Sequence, residues 1–170
     1  LYAKESFISL NKFKKISFNK VIFLRHALAP GNGDPPNFNI NNCSSQRNLD
    51  KVGVAQSKKI GKNFKKLDIK FSKIYSSHWC RCKDTALNLH VGEFITHDGL
   101  NSFYEKHAKK KTTLRKLNIL IKSFDESKGP YLLVTHYVNI LAFTGLSTSS
   151  GGMVAFDLSS KKSFHIKLND

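Results

Sequence analysis

Three short stretches of this 170-residue chain carry residues able to do chemistry together. Arg25-His26 follows the apolar run Val21-Ile22-Phe23-Leu24. Ser77-His78-Trp79-Cys80-Arg81 follows the run from Phe71 to Ser76, and His136 follows Tyr131-Leu132-Leu133-Val134-Thr135. Two histidines and two of only four arginines are thus placed just after strand-like runs. Guanidinium forks pair bidentately with phosphate or carboxylate oxygens. Two forks converging on one spot repel unless an anion lies between them. A phosphoryl group has enough oxygens for several such donors, whereas a carboxylate has two. A neutral imidazole in line with phosphorus is a nucleophile that forms a phosphohistidine. Nearby arginines disfavour its protonation and keep the lone pair available. The second histidine would hold an equatorial oxygen. Phosphoryl transfer is mostly positioning and charge stabilisation, so this set needs no metal. Taken singly, each residue has a plainer role: a histidine after a strand caps or packs, and Arg81 can start a helix or pair with Asp84.

The elements that must deliver these residues can be read from periodicity. Solid apolar runs at 20–24 and 131–135 suit strands buried on both faces of a parallel sheet. The segment Pro30 to Asn42 holds three of the four prolines and two glycines, and so reads as a long loop of the functional kind. A helix is expected from Val52 to Leu67, with Asp50 near its start and Ile60, Phe64 and Leu67 on one face. A second helix is expected from Arg81 to Val91, a loop around Thr96 to Ser102, and a longer helix through Leu114, Leu117, Ile121 and Phe124 that Gly129-Pro130 ends. A short helix follows His136, and the tail, 153–158 and 163–168, alternates like a hairpin. Phe7, Leu10 and Phe13 suggest a short amphipathic turn before the first strand. Strands alternating with helices give an α/β layered fold with a mainly parallel sheet, in one domain over 1–170. In such sheets ligands bind beyond the carboxyl ends of the strands, where Arg25, His26, Arg81 and His136 all fall.

Composition sets the bounds. There are 28 Lys plus Arg against 12 Asp plus Glu, a net charge of +16. The lysines are spread along the chain, which suits a solvated surface that draws anions in general rather than a nucleic-acid footprint. Runs such as Val21 to Leu24 are too short to cross a bilayer. Three cysteines are too few for a disulfide framework, and no second pair completes a zinc site with Cys80 and Cys82. Ala3 fits the tail of a removed leader peptide, but the apolar run that would mark one is not in the sequence.

Four ordered blocks between residues 20 and 158 resemble the histidine phosphatase superfamily. They are Leu24-Arg25-His26-Ala27; Arg47-Asn48-Leu49-Asp50 with Gly53 and Gln56; Ser77 to Ala86 around Arg81 and Thr85; and Val134-Thr135-His136 with Asn139-Ile140. The resemblance implies a phosphoglycerate-mutase-like three-layer sandwich with helices on both faces of a central sheet. It implies that His26 is the phosphorylated nucleophile and that Arg25, Arg81 and His136 form the phosphate pocket with it, with Arg47 and Asn48 as further substrate contacts. Its proton donor is a carboxylate in the variable loop, for which Glu105 is the first candidate and Asp98 the second. No cofactor or metal is implied. The blocks are similar to small bacterial members, among them phosphohistidine phosphatases and lipopolysaccharide core heptose phosphatases. By that likeness Cys43 and Cys80 lie near the pocket rim and could pair in an oxidising compartment, which would favour a periplasmic or exported protein; three reduced cysteines are the alternative. Arg47 reaches a second anionic group or makes a surface ion pair.

The resemblance makes the segment between Ala86 and Tyr131 (87–130) the pocket cap, small for that family, which implies an open site suited to a phosphorylated small molecule, glycan or protein. The expected activity is therefore a metal-independent phosphatase acting on a phosphomonoester or phosphoramidate, with no nucleic-acid partner. The competing readings are a non-catalytic basic module on the same fold that binds nucleic acid or an acidic surface, and a mutase.

Overall fold

The computed structural model describes residues 6–168 of the chain. Seven strands form one sheet: β1 (Phe7–Ser9), β2 (Lys20–Arg25), β3 (Lys73–Ser76), β4 (Ile95–Thr96), β5 (Tyr131–Thr135), β6 (Met153–Asp157) and β7 (Ser163–Lys167). Their order across the sheet is β1-β7-β6-β2-β5-β3-β4. Only β6 runs against the others, pairing antiparallel with β2 and β7. Among the described residues five α-helices flank it: α1 (Leu10–Ile16), α2 (Lys51–Lys66), α3 (Cys80–Leu89), α4 (Lys110–Lys122) and α5 (Tyr137–Thr144).

The period-2 geometry of a strand explains the layers. Along β2, Ile22 and Leu24 face a core shared with Leu10 and Phe13 of α1, Ile60 and Phe64 of α2, and Ala86 and Leu89 of α3. Val21 and Phe23 point the other way, against Leu117, Leu120 and Ile121 of α4 and Ile140 of α5. Helices cover both faces, so the central strands have no polar side and read as unbroken apolar runs. The expected three-layer α/β architecture is the one found.

Two glycines let helix and backbone come close. A Cβ on Gly61 of α2 would meet the Leu89 carbonyl oxygen at 1.9 Å, and one on Gly53 would meet that of Leu28 at 2.0 Å. α2 is started by the Asp50 carboxylate, which accepts the Gly53 N–H at 2.9 Å. Lys65 and Lys66 in its last turn suit the negative end of the helix dipole.

The differences from the sequence reading lie at the edges. Residues 7–16 are not a simple turn: three of them add strand β1 beside β7, and the rest form α1, whose N-terminus Ser9 caps. The first five residues of the expected lead-in over 1–19 lie outside the described residues, as do the last two of the domain. The two-residue strand β4 falls just ahead of and within the expected 96–102 loop. α4 stops at Lys122, well before Gly129-Pro130, because Ser123 takes up its last carbonyls. α3 ends at Leu89, where His90 turns left-handed. Among the described residues no helix is long and apolar enough to cross a membrane.

Candidate active site

Strand register assembles the site. Arg25 of β2 lies opposite Thr135 of β5, and Ser76 of β3 lies opposite Val134. The ladder extends one step beyond each strand: the His26 N–H donates to the Thr135 carbonyl at 3.0 Å, and the Ser77 N–H to the Val134 carbonyl at 3.0 Å. His26, Ser77 and His136 therefore leave the sheet side by side. The His26 and His136 rings meet edge to face with centroids 5.6 Å apart. A cavity of about 230 Å³ opens at this edge, lined by Arg25, His26, Arg47, Arg81 and His136, with Tyr104 and Tyr137 in its walls.

His26 is only 2% exposed. Its Nδ1 lies 2.8 Å from the Ala27 carbonyl oxygen, which can only accept, so Nδ1 holds the proton and Nε2 keeps its lone pair. The Arg81 Nε–H donates to that Nε2 at 3.2 Å. Burial foremost, then the charge of Arg81 and those of Arg25 and Arg47, outweigh the Ala27 bond and push the His26 pKa from 6.5 down to about 3. The imidazole is neutral at any ordinary pH.

His136 is neutral for the same reasons: burial first, then Arg81 and His26, hold its pKa well below 6.5. Its Nε2 lies 2.8 Å from Ser77 Oγ and 3.5 Å from Cys82 Sγ. Its Nδ1 is buried with no hydrogen-bond partner. Arg25 shows the same pattern, with one Nη donating to the Thr148 carbonyl at 2.7 Å and a buried, unpartnered Nε. Buried polar groups are normally satisfied. Two unsatisfied groups on residues lining one cavity mark a place where the chain leaves hydrogen bonds for something else to make.

Arg81 does not pair with Asp84. It meets Asp34 at 2.8 Å in an ion pair whose side chains are 4% and 3% exposed. Asp34 also accepts the Arg47 backbone N–H at 3.0 Å and the Trp79 indole N–H at 3.1 Å. Burial would raise the Asp34 carboxyl, but the Arg47 N–H and the Arg81 guanidinium outweigh it and lower its pKa. The chain therefore supplies part of the anion that converging arginines need, from behind Arg81. Three guanidiniums against the single Asp34 carboxylate, with both imidazoles neutral, leave the cavity floor net positive. Asp34 had no role in the sequence reading. The available signal was that it is the sole acid between Arg25 and Leu49.

Arg47 lines the cavity and, among the described residues, makes no ion pair. Its Nε–H donates to the Gly33 carbonyl at 2.7 Å and one Nη–H to the Ala29 carbonyl. Asn48 does not line the cavity: its amide donates to the Cys43 and Gln46 carbonyls, so it supports the loop. Cys43 and Cys80 are joined in a disulfide. Cys82 is a free, buried thiol whose pKa burial pushes up to about 12. Thr85 and Gln56, both in the recognised blocks, are structural. Thr85 Oγ1 accepts the Ala27 N–H, while Gln56 accepts the Leu28 N–H and donates to the Ser150 carbonyl.

The two candidate proton donors part company. Asp98 is held by Lys116 Nζ at 2.6 Å and lies 3.6 Å from His78 Nδ1, in a separate depression with His97. Its carboxyl is lowered, chiefly by the Lys116 bond, and it does not face His26. Glu105 stands at the cavity rim: a Cβ on Gly33, which lines the cavity, would fall 1.9 Å from Glu105 Oε1. His107 Nε2 approaches the other carboxylate oxygen to 3.5 Å. Trp79 is buried and stacks on Phe38 with centroids 5.0 Å apart, so it backs the loop rather than walling the mouth.

No family model matches the chain, and neither does any curated protein. Solved structures match it in fold. A protein assigned as the phosphohistidine phosphatase SixA in Agrobacterium tumefaciens superposes with a TM-score of 0.55 at 20% identity, over 82% of this chain and 90% of that one. A mycobacterial glucosyl-3-phosphoglycerate phosphatase with inorganic phosphate gives 0.59 at 14% identity, over 89% and 97%. A phosphoserine phosphatase from Entamoeba histolytica with 3-phosphoglyceric acid gives 0.58 at 14% identity, over 89% and 96%. The fold implied by the sequence blocks is thus the fold found: a seven-stranded, mainly parallel α/β sandwich of the phosphoglycerate-mutase-like kind.

Proposed function

We propose that the chain is a phosphatase of the histidine phosphatase superfamily, acting through a phosphohistidine on His26 without a metal. One observation carries the reading: a buried, neutral imidazole with its proton fixed on Nδ1 presents Nε2 among three guanidiniums. Arg81 Nε–H occupies the Nε2 lone pair until a phosphoryl oxygen accepts that N–H instead. The freed lone pair then attacks phosphorus, the N–P bond forms, and the bond to the leaving group breaks with its electron pair. Water afterwards attacks phosphorus, and its N–P bond cleaves to return the imidazole and inorganic phosphate. Arg25, Arg47 and Arg81 stabilise the charge spread over the phosphoryl oxygens, the part that a metal takes elsewhere. His136, through its unpartnered Nδ1, is placed to hold another of them.

A dianionic phosphoryl group matches the net positive floor of the cavity. Glu105 is the proposed proton donor, from the rim. A phosphoramidate needs less from such a donor, because its leaving nitrogen is more basic than an ester oxygen and takes up its own proton. The site therefore suits phosphoramidates and activated phosphomonoesters, whether small, glycan or protein-borne. The fold neighbours differ in the substrates their names give, so they support phosphate chemistry in general.

The test is hydrolysis of an aryl phosphate and of a phosphoramidate by the purified chain, with EDTA present. Both are expected to turn over, and His26→Ala is expected to lower kcat by about 10³-fold or more, as loss of a nucleophile does. Inactivity toward both from pH 4 to 8 would refute the phosphatase reading. Salt-sensitive nucleic-acid binding unchanged in His26→Ala would favour a basic binding module instead.

A further inference from the structure

We propose that the Cys43–Cys80 disulfide is a redox latch on the anion pocket: oxidised, it holds the loop 30–47 in place as a pocket wall, and reduction releases that wall and weakens phosphate binding. The inference rests on the phosphatase reading for what the pocket binds, and on the disulfide's position for the rest.

The loop between β2 and α2 contains, among the described residues, only one short turn of helix, Cys43–Ser45. It nevertheless supplies Asn32, Gly33 and Arg47 to the cavity and Asp34 to Arg81. Cys43 and Cys80 are 37 residues apart in sequence, and Cys80 is the residue immediately before Arg81. The crosslink therefore joins the loop to the helix start that aims a pocket guanidinium. Around it the same joint is made by weaker bonds: the Cys80 N–H donates to Gln46 Oε1 at 2.9 Å, and Asn48 Nδ2 donates to the Cys43 carbonyl at 2.7 Å. Gln46 in turn ties back to the Asn39 and Ile40 carbonyls. Cutting the covalent link leaves a long irregular segment held by polar contacts whose own closure entropy must then be met.

The third cysteine does not scramble the latch. Cys82 Sγ is fully buried against the Thr135 carbonyl and His136, and its pKa near 12 keeps it a thiol, which does not attack disulfides. The switch is a balanced exchange: a dithiol reductant gives two electrons and two protons to the Cys43–Cys80 bond, yielding two cysteine thiols and the cyclic disulfide of the reductant. Arg25, His26 and His136, which ride on the sheet, stay where they are. Reduction should thus act on affinity while the fold persists.

The experiment uses the whole chain, oxidised or treated with dithiothreitol, with the thiol count checked by mass spectrometry. Inorganic phosphate affinity is read by titration calorimetry, and the loop by amide hydrogen exchange. On reduction, phosphate affinity is expected to fall at least tenfold and exchange at 30–47 to quicken, with far-UV circular dichroism unchanged. Cys43→Ser/Cys80→Ser should behave like the reduced chain and ignore dithiothreitol. Unchanged exchange at 30–47, or phosphate affinity within twofold after full reduction, would overturn the latch. If the oxidised chain binds no phosphate, the functional reading fails instead, and the exchange data still decide whether the disulfide holds the loop.

Discussion

One wall of the pocket is delivered by the sheet and the other by loop. Arg25, His26 and His136 sit at the ends of β2 and β5, and Arg81 lies in the first turn of α3, a few residues beyond β3. Their positions follow from main-chain register, which every residue of three parallel strands helps to fix. The facing wall, with Gly33, Asp34 and Arg47, is held by side chains gripping single carbonyls, by one buried carboxylate and by one disulfide. A register-held wall tolerates the loss of a side chain, because the backbone beneath it does not move. A wall held by side chains does not, since each grip that goes frees a neighbour. Arg81 belongs to both, and it is where the two walls are bolted together.

The sharpest way to break this comparison is to remove Arg81 and Arg47 in turn. Arg81→Ala leaves Asp34 buried and unpaired, which costs about 3–5 kcal/mol when such a pair is broken on one side. It also strips the N–H that faces the nucleophile, so kcat should fall by about 10²–10³-fold. Arg47→Ala removes part-buried bonds to the Gly33 and Ala29 carbonyls and no ion pair; about 1–2 kcal/mol of stability and a rise in KM larger than the fall in kcat are expected. Urea unfolding and steady-state kinetics on both variants give the answer. Equal losses in the two would mean that the Arg81–Asp34 ion pair is not what joins the walls.

Acid sharpens the same contrast from the other side. The His26 pKa is about 3 in the folded chain against an ordinary 6.5. Between those values the unfolded chain binds the proton and the folded one does not, so stability is full above pH 6.5 and drains as pH falls toward 3. From pH 7 to 4 that single group forfeits on the order of 3 kcal/mol, and His136, shifted the same way, adds to it. Unfolding measured across this range should show the wild type losing more than His26→Asn by about that amount. Over the same range the nucleophile stays deprotonated, so kcat/KM should show no acid limb near 6.5 arising from His26 while the chain remains folded.

What could be read in advance follows the same division. Apolar runs at 20–24 and 131–135 announce central strands, and the residues just past them announce a site, because a parallel sheet collects strand ends in one place. The residues read just past strand ends, Arg25, His26, Arg81 and His136, lie together at one sheet edge, and Arg47 lines the same cavity. The sequence blocks could not show that Asp34 lies beneath Arg81, since a loop's path depends on which carbonyl each side chain finds. They assigned Asn48 to substrate, whereas it does not line the cavity and its amide nitrogen donates to the Cys43 and Gln46 carbonyls. The edge strand β1 was missed for a related reason: three residues have no usable period, and Phe7–Ser9 becomes a strand only because β7 is there to pair with.

Glu105 is the subtlest test, because its place depends on two loops at once. Its backbone is left-handed at φ 56°, as is that of Lys106 at φ 62°, which non-glycine residues adopt at a cost. The strained turn lays the carboxylate in the space that the absent Cβ of Gly33 leaves open. If Glu105 gives a departing oxygen its proton, the need for it grows with the basicity of that oxygen, whereas a phosphoramidate nitrogen takes up its own proton before it leaves. Glu105→Gln is then expected to lower kcat about 10–100-fold on an alkyl phosphate and less than threefold on a nitrophenyl phosphate or a phosphoramidate. Kinetics on the three substrates separate this from a packing role, which would lower all three together. A uniform drop would make Glu105 a brace between the loop and Gly33, and would leave the site to substrates whose leaving groups depart unaided.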